Sequence, residues 1–423
     1  MLEISTLRLH SEEITQKLLI KNFPAENIIK EVLSADQQKR ELQTELDTIN
    51  ASGNRSAKEI GRLMTTGQNA EAEKLKIEAT GFREKAKELE QKIREAETAL
   101  EELLVRIPNT PSEKVPAGKT AADNKPVYEN DCKPTATGTL FPHWDIIKKY
   151  DIIDFETGIK ISGPGFPVYK GKGARLLRAL INYCLDEACK AGYKEMIPPV
   201  FVNSASAYAT GQLPDKDGMM YEMKEDKLYA IPTAEVPLTN IYRDVILKEE
   251  DLPVKITGYT PCFRREAGSW GADVRGLNRL HQFDKVEIVQ ICKPENSYLT
   301  LEEMRNFVQN LIISLGLHSR TLLLCGGDMS FTSAMTYDLE VFAAGQKKWL
   351  EVSSVSNFET FQANRLRLRF KDANKKTQLA HTLNGSALGL ARILAAIIEN
   401  YQTPDGIIVP EVLRAYTGFE KIF

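Results

Sequence analysis

Cysteine is sparse and unpaired in this chain. The six cysteines among 423 residues (Cys132, Cys184, Cys189, Cys262, Cys292 and Cys325) form no CxxC pair, and the five histidines show no ligand spacing with them. No zinc is expected, and reduced thiols that serve packing are the ordinary reading. Long apolar runs are also missing. Stretches such as residues 311–317 fall far short of the roughly 20 apolar residues that a spanning helix needs. The opening MLEISTLRLHSEEITQK lacks the apolar block and small-residue cleavage site of a secretory signal, so a cytoplasmic location without membrane contact is expected. Neither sign of charge dominates: 55 Lys and Arg against 58 Asp and Glu leave a net charge of -3. That excludes a uniformly basic nucleic-acid coat but leaves local phosphate contacts open. What remains is the composition of a soluble globular protein, 42% hydrophobic and 27% charged, long enough for two or three domains.

Residues 26–106 contain no proline and a single aromatic residue, Phe82, within a background of Glu, Lys, Gln and Ala. That is helical composition. Leu75, Ala79, Phe82, Ala86, Leu89, Ile93, Ala96, Leu100 and Leu103 alternate steps of four and three, which is a coiled-coil heptad. The first half carries the same stripe at Ile28, Val32, Ala35, Leu42, Leu46, Ile49, Ile60 and Leu63, interrupted by Lys39, Gly53 and Ser56. A turn-forming cluster at residues 65–69 separates the halves and predicts an antiparallel hairpin. At about 1.5 Å per residue each helix reaches roughly 50 Å. Composition alone permits a dimerisation rod. Near the tip Arg55, Lys58, Arg62, Lys74 and Lys76 outnumber Glu59, Glu71 and Glu73 only modestly, so charge by itself assigns the arm no nucleic acid.

Five prolines between residues 108 and 135 lie among small polar residues and read as an extended linker. The organisation expected is therefore a helical domain at 1–107, a linker at 108–135 and a second domain at 136–423. In the second domain, helical periodicity at residues 174–191, 301–315 and 387–401 alternates irregularly with β-rich runs at 254–263, 280–289, 337–342 and 349–355. This pattern predicts an α+β domain with a mainly antiparallel sheet flanked by helices.

Glycine-rich stretches are tested first for a nucleotide loop. GFPVYKGKG at 165–173 has five residues rather than four between Gly165 and Gly171, and Gly173 stands where Ser or Thr should meet magnesium. It reads as a turn before a helix. No GxGxxG follows a strand, so a dinucleotide fold is unsupported. A stronger candidate is residues 262–289, read as strand, loop, strand. The second strand sets His281, Phe283, Lys285, Glu287 and Val289 on one face, and the segment carries Arg264, Arg265 and Glu266 at one end and Glu287 at the other. A half-exposed hairpin is the plain alternative. In residues 381–401, read as a helix, Asn384 or Ser386 could cap it. Arg392, flanked by Leu390, Ala391, Ile393 and Leu394, is costly to bury without an anionic partner.

Together these segments resemble class II aminoacyl-tRNA synthetases, and within them the bacterial-type seryl-tRNA synthetases, over the whole chain. FRREAGSWG followed by RLHQFDKVE is similar to the second class-defining motif and TLNGSALGLAR to the third. IPTAEVPLTN resembles the serine-binding element, and LEVSSVSNFETFQANR the segment serving ATP and magnesium. The degenerate dimer-forming first motif falls loosely within residues 174–199. The resemblance implies an N-terminal coiled-coil arm holding the long variable arm of serine tRNA, a homodimeric catalytic domain, and selenocysteine tRNA as a further acceptor.

The resemblance also implies residue roles. Arg264, Glu266 and Arg392 would be the catalytic set, with Arg264 on the α-phosphate, Glu266 on the adenine amino group and Arg392 on the distal phosphates. L-Serine would be bound by Thr233, Ala234, Glu235, Glu287, Asn384 and Ser386. Arg265, Leu280, His281, Gln282, Phe283, Glu351, Val352, Ser353 and Ser354 would complete the ATP site, Phe283 stacking under adenine and Glu351 and Ser354 holding Mg2+. Loop 268–279, with Arg275 and Arg279, would move over ATP and the tRNA acceptor end. Phe358 and Met335 depart from the residues many relatives carry, Cys and Lys, without removing a matched site residue. The activity implied is ATP-dependent charging of serine tRNA. Amino-acid transfer to a carrier protein and a non-catalytic tRNA-binding paralogue are the alternatives. The intact arm argues against the first, and the retention of Arg264, Glu266, Glu287, Glu351 and Arg392 against the second.

Overall fold

The computed structural model describes residues 1–132, 138–215, 217–266 and 275–423. They form two compact units, residues 1–19 with 23–108, and residues 20–22 with 109–423.

The first unit is helical: α1 (Ile4–Ile20), α2 (Glu26–Thr65) and α3 (Asn69–Leu104). The long pair is turned at residues 66–68, where Gly67 takes a φ of +76°, a left-handed conformation that glycine adopts at little cost. Every position of the predicted α3 stripe is buried or half-buried, and Leu46, Leu89 and Ile93 form a cluster backed by Leu42, Ile49 and Ala86. The interruptions in α2 have local explanations. Gly53 faces Phe82, the one aromatic ring of the seam, with its Cβ position 3.8 Å from the Phe82 Cβ. Ser56 is buried, and Lys39 reaches Glu97 at 2.9 Å. Asp36 lies buried under the guanidinium groups of Arg8 and Arg40.

The second unit is built on an eight-stranded sheet: β1 (Lys125–Glu129), β2 (Lys194–Glu195), β3 (Val254–Phe263), β4 (Gln282–Cys292), β5 (Ser319–Leu323), β6 (Met335–Ala343), β7 (Lys348–Glu359) and β8 (His381–Gly389). Its order is β1-β5-β6-β7-β8-β4-β3-β2. All pairings are antiparallel except β2 with β3. Two features differ from the sequence-based expectation. Residues 125–129, inside the segment read as linker, pair with β5 as an edge strand. Residues 381–389, read as the start of a helix, form β8, so Asn384 and Ser386 cap nothing. Pairing with β4 and β7 on both sides satisfies the backbone of this Gly- and Asn-containing strand, and tertiary pairing overrides its weak propensity.

The helices that matter for the site are α4 (His143–Tyr150), α5 (Gly171–Lys190), α6 (Glu235–Asn240), α7 (Ser297–Ser314), α8 (Thr360–Leu366) and α9 (Leu390–Asn400). Leu176 and Leu180 of α5, Met304 and Val308 of α7, and Ile393 and Ile397 of α9 join Val286 and Ile288 of β4 in one core. Every residue of α9 except Arg392 is buried.

A buried polar knot ties α4 to α9. The Glu399 carboxylate accepts from the His143 backbone N–H at 2.9 Å, from the Gln346 backbone N–H at 3.0 Å and from the Gln346 amide at 2.8 Å. His143 Nε2 accepts the Leu277 N–H at 2.8 Å, so Nδ1 carries the proton directed at Glu399, 2.8 Å away. Glu399→Ala leaves the buried His143 donors and the half-buried Gln346 donors without their acceptor. It should lower the stability of the second unit by about 1–3 kcal/mol for each buried donor left unsatisfied, read from its urea unfolding midpoint at unchanged slope.

Candidate functional site

The period of two along β4 separates two environments. Val286 and Ile288 enter the core, while Phe283, Lys285 and Glu287 line a cavity of about 420 Å³ on the other face. The ladder sets Glu287 opposite Ser386 and Val289 opposite Asn384 of β8, and Asn384 is opposite Ser356 of β7. Asn384, Ser386 and Ser356 line the same cavity. Its remaining walls come from the turn before α6, the end of β3, β7 and the start of α9.

At one end of the cavity three charges are packed together. Lys285 Nζ lies 2.6 Å from Glu287 Oε2 and donates to Thr233 Oγ1 at 2.6 Å. The Thr233 hydroxyl faces Glu287 Oε2 at 3.2 Å. Lys285 and Glu287 are 6% and 1% exposed, so this is an ion pair removed from water, where losing either partner leaves a costly lone charge. Glu235, also buried, is held by a neutral donor, the Gln362 amide, at 2.6 Å. Burial, followed by the nearby Glu287 carboxylate, pushes the Glu235 carboxyl up to about 7; Gln362, Lys285 and Arg264 oppose that rise.

At the other end the groups are cationic and aromatic. The Arg264 guanidinium stands over the Phe283 ring, 5.2 Å from its centroid, and its Nε donates to the Pro232 carbonyl at 3.3 Å. Glu266, at a φ of +50°, is ion-paired with Arg279. Arg392, one-third exposed, donates to the carbonyls of Asn278 and Glu351 at 2.9 and 2.8 Å. Glu351 is half-exposed and lines the cavity with Ser354. Behind Ser354 across the ladder is Asp338, whose Oδ1 is buried without a hydrogen-bond partner. Burial, then the neighbouring Glu351, raises the Asp338 carboxyl well above the usual range. The oxygens of Glu351 and Ser354 that face the cavity are hard donors of the kind a divalent cation takes. Among the described residues no group of three or more His, Cys, Asp and Glu forms a metal cluster by itself.

Of the residues singled out from sequence, Thr233, Glu235, Arg264, Glu266, Leu280, Phe283, Glu287, Glu351, Val352, Ser353, Ser354, Asn384, Ser386 and Arg392 line this one cavity. Ala234, Arg265, His281 and Gln282 do not. Ala234 is buried against Leu238, Ile256 and Val289, the Arg265 N–H donates to the Met219 carbonyl, and Gln282 is exposed. His281 is stacked on Phe166, and its N–H is held by the Gly165 carbonyl. The rejected phosphate loop thus acts as a brace: a Cβ at Gly165, φ +83°, would collide with the His281 ring. Residues 267–274, most of the loop expected to move over ATP, lie outside the described residues.

Sequence reasoning missed Lys285 as a site residue, although the alternation with Phe283 and Glu287 marked its face. It also missed Asn278, Ser330, Thr332 and Gln362. Ser330 and Thr332 reach the cavity from a distant loop, which no local spacing signals.

The comparisons accord with this architecture. Residues 220–401 match the family model described as tRNA synthetase class II core domain (G, H, P, S and T), which makes the second unit a class II synthetase core. Residues 1–111 match the seryl-tRNA synthetase N-terminal domain. The serine–tRNA ligase of Salinibacter ruber is 47% identical over 100% of this chain and 99% of its own length. A crystal structure of seryl-tRNA synthetase from Pyrococcus horikoshii complexed with ATP superposes with a TM-score of 0.92 at 30% identity, covering 100% and 99% of the two chains. That of a cytoplasmic serine-tRNA ligase from Naegleria fowleri in complex with AMP gives 0.84 at 27%, covering 97% and 94%. The chain belongs to the seryl-tRNA synthetase family.

The electrostatics of the cavity can be checked without any ligand. Glu235 should titrate near 7, seen as a protonated-carboxyl infrared band absent from Glu235→Gln. Lys285→Met, which removes a cation favouring the ionised form, should move that midpoint up.

Proposed function

We propose that this chain is a serine–tRNA ligase that activates L-serine with ATP and transfers it to the terminal adenosine of serine tRNA. The observation that carries the reading is the single cavity with a buried acidic end, fit for a small amino acid, and a cationic, aromatic end, fit for a nucleotide. In the first step a serine carboxylate oxygen attacks the α-phosphorus of ATP, and the bond to the bridging oxygen breaks to release pyrophosphate. In the second a ribose hydroxyl of the tRNA attacks the carbonyl carbon of the adenylate, and AMP leaves. Substrate oxygens do the attacking, so the protein supplies position and charge rather than a nucleophile.

Arg264 suits both the carboxylate and the α-phosphate, because a planar guanidinium binds either in two-point fashion. Adenine would take the face of Phe283 on which Arg264 now rests, with Glu266 reading its amino group. Arg392 would meet the distal phosphates. Mg2+, held by Glu351 and Ser354, would neutralise phosphate charge when bound. Glu287 already has Lys285 as its counter-ion, whereas Glu235 has only a neutral amide, so the serine ammonium belongs with Glu235. The hydroxyl is then left to Glu287, Thr233, Asn384 and Ser386. Alanine would leave these buried partners unpaired and be rejected.

The same reading gives the arm the long variable arm of serine tRNA, with selenocysteine tRNA as a second acceptor. A groove along the helical pair beside Gly53, whose charged lining is Lys76, Arg83 and Lys87 against the single Glu90, supports a phosphate-backbone contact there. Homodimerisation through residues 174–199 is supported by Ile197, 91% exposed on a single chain. The same reading places the protein in the cytoplasm, where charging of tRNA takes place; among the described residues no helix is long and apolar enough to cross a membrane.

Pyrophosphate exchange into ATP should depend on serine and not on threonine, alanine, glycine or cysteine, and Arg264→Ala should nearly abolish it with the fold intact. Exchange at wild-type rate in that variant would remove the role given to Arg264, and no exchange with any amino acid would favour the non-catalytic paralogue. Replacing residues 36–99 by a short turn should leave serine-dependent exchange unchanged and lose tRNA charging; undiminished charging would show the arm to be structural only.

A further inference from the structure

Glu235 poses a physical problem that the residues assigned to the reaction do not solve. A buried carboxylate has two oxygens and several rotamers, and with Lys285 committed to Glu287 and Thr233 no cation hydrogen-bonds it among the described residues. What holds it is Gln362 of α8, 1% exposed, whose Nε2 donates to Glu235 Oε1 at 2.6 Å and to the Thr210 carbonyl at 3.3 Å. An amide can sit either way round, and here its orientation is dictated. The Thr382 hydroxyl of β8, also 1% exposed, donates to Gln362 Oε1 at 2.8 Å. Reversed, the amide would set its oxygen against a carboxylate and a carbonyl. Thr382 therefore fixes Gln362, Gln362 occupies one oxygen of Glu235, and the other oxygen is left for a ligand.

We infer that Thr382 and Gln362 form a positioning relay that holds the Glu235 carboxylate ready for the amino-acid ammonium and so sets amino-acid affinity without touching the substrate. The inference rests on the reading of this pocket as an amino-acid site. Neither residue lines the cavity, so their effect must pass through Glu235. The relay also bears on ionisation. The charged groups that face Glu235 are Glu287 and Lys285 from β4 and Arg264 after β3, and the Gln362 hydrogen bond is one of the influences that keep its carboxyl from rising further.

The test is pyrophosphate exchange with Gln362→Met and Thr382→Val. Gln362→Met should raise the serine KM on the order of tenfold, the worth of one hydrogen bond to a charged group, with kcat and the ATP KM within about twofold of wild type. Thr382→Val, which keeps side-chain shape and stands in if the first variant folds poorly, should raise it about threefold. Combined with Gln362→Met it should add nothing, because it acts only through Gln362. Removing the donor raises the Glu235 pKa, so the deficit should be larger at about pH 7 than at about pH 8.5. Wild-type serine KM in both variants would overturn the relay. So would serine KM, ATP KM and kcat deteriorating together without recovery at high pH, which is the mark of a merely structural role.

Serine-dependent exchange in wild type separates this failure from that of the pocket reading. If wild type shows no serine-dependent exchange, the functional reading falls. The relay's role in amino-acid affinity falls with it, and the Glu235 midpoint in Gln362→Met then reports only the hydrogen bond between the two; serine-dependent exchange in wild type with unchanged serine KM in both variants is the failure of the relay alone.

Discussion

The constraint on which the second unit depends is the register of the antiparallel ladder that joins β3, β4, β8 and β7. A strand presents alternate residues to opposite faces, so a slip of one residue would exchange them. In the observed register Lys285 and Glu287 face the cavity while Val286 and Ile288 enter the core. The same ladder brings Ser386 opposite Glu287 and Asn384 opposite Ser356. Core and site therefore enforce one another. A slipped β4 would bury Lys285 and Glu287 in an aliphatic core, and that cost holds the register that builds the site.

Burying charge in the cavity is tolerated because the charges are arranged as a set. Lys285 neutralises Glu287 and hydrogen-bonds Thr233, Gln362 supplies a neutral donor to Glu235, and Arg264 completes the ring of influences on that carboxyl. Glu235 nevertheless remains short of positive charge. A site left one cation short is suited to a ligand that brings its own, and the ligand's charge then contributes affinity where water is scarce. At the opposite end the balance is reversed, with Arg264, Arg279 and Arg392 near Glu266 and Glu351, as a polyanionic ligand requires.

The helical arm follows different physics. Its contacts are local, between two helices joined by a short turn, and its energy lies in a seam of small and aliphatic side chains rather than in a wide core. The aromatic Phe82 fits because Gly53 stands opposite. Ion pairs such as Lys85 with Glu45 and Lys39 with Glu97 flank the seam. Such exposed pairs contribute little to stability, about 0–1 kcal/mol each, and their value is in register.

By itself the sequence determined the arm. A heptad is a statement about residues three and four apart, which helix geometry alone brings together, so α2, α3 and the turn at Gly67 were legible almost to the residue. The long strands at 254–263, 337–342 and 349–355 were legible for the same reason, their period being local. The identity of most cavity residues was carried by resemblance, through segments such as FRREAGSWG and TLNGSALGLAR. Tertiary structure alone decided that TLNGSALG is a strand, since its pairing partners lie near residues 285 and 355 and local propensity says nothing of them. It decided too that residues 125–129 close the sheet edge, that Gln362 reaches Glu235, and that Thr382 reaches Gln362. Hydrogen bonds between side chains 20 and 127 positions apart leave no period in the chain; they exist only once the ladder has set its register.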